Sequence, residues 1–65
     1  NEFLNHKRSL FFKEKILKNQ KISMRNIKSL RPIIGVRSSD VKKVIKKRAR
    51  RNLEKNSPIY LKDIY

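Results

Sequence analysis

The 65-residue chain has no cysteine and no tryptophan, one glycine, two prolines, one histidine and only five acidic residues. Without cysteine there is no disulfide to compensate for a small core, and the sequence gives no support to an oxidising compartment. One histidine cannot build a metal site, and one glycine rules out a glycine-rich phosphate loop. His6 has no catalytic or ligating neighbour in sequence, and the five acids show neither a metal-loop nor a paired-carboxylate spacing. These absences argue against an enzyme, a metal and a cofactor. Uninterrupted apolar runs such as Pro32-Ile33-Ile34 fall far short of the ~20 residues of a membrane span. No secretory signal is visible.

What is present is positive charge. Nineteen Lys and Arg against five acids leave a formal net charge of +14. A chain this short forms at most one small domain, and self-repulsion opposes its collapse. The expectation is a chain that completes its folding on something acidic and is not an independent globule. Its first residue is Asn, which suggests a processed or partial product, and eight Ile with twelve Lys hint at an A/T-rich, organellar genome.

No internal repeat or low-complexity tract is evident, and the pattern reads as mainly α. Residues 3–19 suggest an amphipathic helix, with Phe3, Leu10 and Leu17 seven apart and Leu4 and Phe11 beside them. Residues 20–37 form a connector in which Ile22, Met24, Ile27 and Leu30 line one face of a short helix. Pro32 ends it, and Ile33-Ile34-Gly35 suggests an extended piece and a turn. Residues 40–55 predict the second principal helix, capped by Ser38, Ser39 or Asp40, with Val41, Val44, Ile45, Ala49 and Leu53 on one face. A cap accounts for Ser38-Ser39-Asp40 better than a nucleophile does. Residues 57–65 read as an extended tail.

Eight of the fifteen residues from Val41 to Lys55 are basic, against one Glu. A merely solvated helix would mix signs, because like charges four apart repel, as Lys42/Lys46, Lys43/Lys47 and Lys47/Arg51 would. The pattern therefore suggests that phosphates supply the counter-charge. A membrane surface is disfavoured because the apolar stripe is narrow and mostly Val, Ile and Ala, and capture of the helix by a calmodulin-like groove lacks bulky anchors for the same reason. Zinc-finger, zipper and homeodomain signatures are missing, so RNA is preferred to DNA. The candidate RNA contacts are Arg25, Arg31, Arg37, Lys42, Lys43, Lys46, Lys47, Arg48, Arg50, Arg51 and Tyr60, with Tyr60 and Tyr65 able either to stack on bases or to pack. The candidate protein-docking residues are Phe3, Leu10, Phe11, Leu17, Val41, Val44 and Ile45.

The order of these features resembles the bacterial-type small-subunit ribosomal protein eighteen family and its mitochondrial relatives. Phe11-Phe12, Ile16 and Lys21-Ile22, followed by Arg25 and Ile27, look like that family's first helix and turn. Ile45-Lys46-Lys47-Arg48-Ala49-Arg50 looks like its second-helix signature, and Pro58 with Tyr60-Leu61-Lys62-Asp63 like some mitochondrial tails. Gln20 stands where the family has glycine. The resemblance implies a structural constituent of an organellar ribosome, mitochondrial first and cytoplasmic as the alternative. Its partners would be ribosomal RNA and neighbouring ribosomal proteins, with no small-molecule substrate. The competing expectations are a segment of a ribosome-assembly factor, or an interaction module whose N-terminal helix binds a partner protein.

Overall fold

The computed structural model describes residues 7–65. Those residues are not mainly helical. They form a two-stranded antiparallel sheet, β1 (Ser9–Phe12) and β2 (Ile27–Leu30), with Ser9 opposite Leu30 and Phe12 opposite Ile27. Three short 3-10 turns, Met24–Asn26, Ser38–Lys43 and Leu61–Asp63, punctuate an otherwise extended chain. Single bridges tie distant segments together: Ser9 to Arg37, Phe11 to Pro58, Ile16 to Leu53, Lys21 to Arg48, and Ala49 to Ile64.

Neither expected helix forms. The helix expected over 3–19 is replaced by β1 and an extended stretch, and its Phe3, Leu4 and His6 lie outside the described residues. The helix expected over 40–55 reduces to the Ser38–Lys43 turn, which is kinked at Asp40 and stops where Lys46 takes φ 72°. From there the chain runs extended through Ala49 and Leu53. The cause is legible in the residues. Val41, Ile45, Ala49 and Leu53 are spaced by four, which suits an alternating strand as well as a helix. The eight Ile favour extended backbone, and one Ala offers the helix little support. Extension also removes the like-charge stacking at i,i+4.

A repeat that the sequence hardly advertises organises the fold. Residues 9–28 and 46–65 are two copies related by 37 positions, interlocked about a pseudo-twofold axis. Ile16 N–H donates to the Leu53 carbonyl at 2.9 Å, and Leu53 N–H returns the bond to Ile16 at 2.8 Å. Phe12 N–H to Ser57 has its mate in Ala49 N–H to Gln20, and Asn56 N–H to Phe12 in Asn19 N–H to Ala49. Lys13 N–H to Asn26 likewise matches Arg50 N–H to Asp63, and Ile22 N–H to Lys47 matches Ile59 N–H to Leu10. The turn Met24–Asn26 corresponds to Leu61–Asp63. Asn19 and Asn56 both sit in the left-handed region, at φ 70° and 68°. Asn tolerates that region better than most side chains.

Each copy lends its apolar side chains to one shared core. Leu10, Phe12, Ile16, Ile22 and Ile27 come from the first copy, and Ala49, Leu53, Ile59 and Ile64 from the second, while Val36 and Val44 enter from the connection. Leu10, Phe12, Ile16, Val44, Ala49 and Ile59 have no exposed surface at all. The radius of gyration is 10.4 Å, against about 10.7 Å expected for a folded domain of this length. This is a compact domain with its own core, and the expectation of a chain folding only on an acidic surface is overturned.

Candidate binding surface

With the core filled, the apolar residues left outside draw attention. Leu30, Ile33 and Ile34 are about 40–49% exposed and lie within five residues of one another, in the loop that leaves β2. Arg31 and Pro32 between them are exposed as well, as is Arg37 at the far end. Neither arginine forms an ion pair among the described residues.

This loop is exposed but firmly held. The buried Ser9 hydroxyl donates to the Pro32 carbonyl at 2.8 Å and accepts from Ile34 N–H at 3.2 Å, pinning the loop to β1 from both sides of Ile33. Val36 N–H donates to the Ile59 carbonyl at 2.7 Å, and Leu10 N–H donates to the Val36 carbonyl at 2.8 Å. Gly35 is required by close approach: a Cβ there would lie 2.1 Å from the Ile59 carbonyl oxygen. Beneath the loop, the hydroxyls of buried Ser29 and Ser38 hydrogen-bond to each other. The ordering cost of presenting Leu30, Ile33 and Ile34 is thus already met within the fold, which favours association.

The residues expected to contact RNA divide between exposed side chains and ones that serve the fold. Arg25, Arg31, Arg37, Lys42, Lys43, Lys46, Lys47 and Tyr60 are exposed. Others serve the fold. Arg48 donates to the Asn19 carbonyl, Arg50 Nε to the Ile64 carbonyl at 3.2 Å, and Arg51 Nε to buried Asp63 at 3.2 Å. Arg50 also lies 5.5 Å from the centroid of the Tyr65 ring, so Tyr65 packs within the fold. Lys43 pairs with Asp40 at 3.9 Å.

Of the residues expected to dock on protein, Leu10, Phe11 and Val44 are buried in the chain's own core and cannot meet a partner. Val41 and Ile45 are half-buried against that core, Leu17 is exposed, and Phe3 lies outside the described residues. The loop residues Leu30, Ile33 and Ile34 were missed as a surface. Their signal is the cluster of aliphatics between Pro32 and Gly35, which marks a turn that has no apolar face to bury. Among the described residues no group of three His, Cys, Asp or Glu is placed to hold a metal, and no helix is long and apolar enough to cross a membrane.

The fold and surface define a class: a compact, cross-bridged β module with a braced apolar loop. The SAF domain model matches residues 7–64, and the chain belongs to the SAF domain family. That family is unrelated to the ribosomal one, and no ribosomal family matches, so the ribosomal and RNA-binding expectations fall together. The resemblance rested in part on Ile45–Arg50, where a basic run with one Ala matches readily, while the backbone there turns at Lys46 and then bridges to other segments at Arg48 and Ala49. No curated protein matches the chain.

Proposed function

We propose that the chain is a binding module that acts by docking on a protein surface through the loop 30–37 and has no catalytic role of its own. The supporting observation is the braced loop itself: three exposed aliphatics flanked by two arginines that form no ion pair among the described residues, on a backbone fixed by Ser9, Gly35 and Ile59. Apolar residues held in a defined shape with arginine beside them are the composition of an interface centre. The partner's complementary patch is apolar with carboxylates at its rim, since a net charge of +14 steers the module toward acidic surfaces. Membership of a family associated with carbohydrate- and pilus-related binding modules supports a binding role.

Site-specific photo-crosslinking in the host cell tests this reading. A photoreactive residue at position 34 is expected to give one discrete protein adduct, lost on Arg31→Glu, while the same residue at position 55 gives none. An identical adduct pattern from both positions, or an adduct indifferent to Arg31→Glu, overturns it.

A further inference from the structure

The pseudo-twofold axis makes it possible to ask what covers each copy. In the second copy the Ile59 carbonyl accepts from Val36 N–H, and in the first copy the Ile22 carbonyl accepts from Lys46 N–H. Val36 N–H thus takes at Ile59 the bond that Lys46 N–H makes at Ile22, although the mate of Lys46 by the 37-residue shift is Ser9. Gly35 has no side chain and lies directly on Ile59, closing that side with the protein's own backbone. Ile45 has one, and beside it the molecule leaves a groove of about 310 Å³ lined by Lys21, Ile22, Ser23, Met24, Ile45 and Lys46.

The chemistry of the groove is two-part. Ile22 and Ile45 give it an apolar floor, with Met24, 45% exposed, as one wall. Lys21 and Lys46 are both exposed and form no ion pair among the described residues. Three of the described acids are engaged elsewhere, Asp40 with Lys43, Asp63 with Arg51, and Glu14 with the Asn26 amide at 2.7 Å. Cations continue beyond the rim at Arg25, next to Met24, and at Lys47, next to Lys46.

We propose that this groove docks an extended acidic segment of a partner protein, with one apolar side chain on the Ile22–Ile45 floor and flanking carboxylates on Lys21 and Lys46. Charge complementarity selects the acidic character, because the rim lysines form no ion pair among the described residues. The second copy illustrates the geometry, a backbone segment laid over Ile59, the Ile22 equivalent. A protein segment suits the groove better than a small acid, since it also reaches the cations outside the lining. The site is separate from the loop 30–37 and does not depend on it.

The test is a titration of the full-length, ¹⁵N-labelled chain with an acetylated, amidated Asp-Glu-Leu-Glu-Asp peptide, followed by amide chemical shifts. Saturable shifts are expected at Ile22, Ser23, Met24, Ile45 and Lys46. Affinity should fall about tenfold in the double variant Lys21→Ala/Lys46→Ala, and about tenfold when Ser replaces the peptide's Leu. The variant Ile33→Ser/Ile34→Ser should leave the groove shifts unchanged, which separates this site from the loop. Equal binding of the Leu and Ser peptides, shifts spread evenly over the cationic surface, or no binding overturns the proposal. So does octanoate filling the groove as tightly as the peptide, since that would make it a small-molecule site. The amide spectrum of each variant reports directly that the fold is retained.

Discussion

The two copies, residues 9–28 and 46–65, share a backbone plan but not a role. Both place an isoleucine at the centre of the core, Ile22 and Ile59, and both turn at an asparagine of positive φ. Both end in a 3-10 turn holding a buried polar residue, Asn26 or Asp63. They differ in what lies on top. The second copy is sealed by Gly35–Val36, whereas the first stands open beside Ile45. Equivalent frames thus carry the structural load together, while the inequivalent coverings leave one side free to bind. If the core is shared equally, Ile22→Ala and Ile59→Ala should each cost about 2–5 kcal/mol and agree within about 1 kcal/mol. Urea unfolding at 25 °C measures both. A much smaller loss at Ile59 would show that the copies do not share the core as equals.

The next largest effect should belong to the covering and strike one copy only. Gly35→Ala forces a methyl group against the Ile59 carbonyl, at an expected cost of about 1–3 kcal/mol. Beside Ile22 stands Ile45, which already carries a side chain, so Ile45→Ala removes contact area without creating a clash. Hydrogen exchange distinguishes the two. Gly35→Ala should deprotect the Val36 amide, bonded to Ile59 at 2.7 Å, and leave the Lys46 amide, bonded to Ile22 at 2.8 Å, as it was. Deprotection of both amides would mean that the two sides open as one unit.

The turns allow a more even comparison. Asn19→Ala and Asn56→Ala each replace a side chain that tolerates positive φ with one that does so poorly, and each should cost about 1 kcal/mol. Each asparagine side chain also accepts a bond, from the Tyr65 hydroxyl at Asn19 and from the Lys28 ammonium at Asn56. Replacement by Gly should recover most of the backbone loss at both sites. Thermal melts of the four variants check this, and a Gly variant as unstable as its Ala counterpart would assign the cost to the side-chain bond.

These comparisons also explain what the sequence disclosed and what it hid. The break at Pro32-Ile33-Ile34-Gly35 was legible. The secondary structure was not, because Val41, Ile45, Ala49 and Leu53 satisfy both periods and the charge run favoured a helix reading. The repeat was obscured for a physical reason. A pseudo-twofold fold requires equivalent backbone and burial but not identical side chains. Between residues 16–28 and 53–65 only Lys18/Lys55, Asn19/Asn56, Ile22/Ile59 and Ile27/Ile64 are identical. The paired asparagines were read as helix stops when they were turn residues. The exposed loop was visible as a turn, but its role as a surface depends on Ser9 and Ile59, which are distant in sequence.

The smallest effect gives the sharpest contrast, because local pairing and global charge predict opposite signs. The two buried polar residues have corresponding partners of opposite charge. In the first copy the Asn26 amide donates to Glu14 at 2.7 Å, and in the second the Arg51 guanidinium donates to Asp63 at 3.2 Å. Arg51→Ala removes a cation from a chain of net charge +14, so relief of self-repulsion alone would stabilise it. It also deprives a carboxylate that is only 9% exposed of its charged partner. Arg51 itself is largely in solvent, so the pair is worth less than about 1 kcal/mol. The expected result at low salt is a small net destabilisation, larger than that of Glu14→Ala, because Asn26 keeps its bonds to the Ser23 amide and hydroxyl when Glu14 is lost. In 1 M salt, where the Debye length is about 3 Å, the Arg51→Ala cost should shrink and approach that of Glu14→Ala. A variant more stable than the parent at low salt would show that crowding of positive charge outweighs the pairing of the second copy's turn.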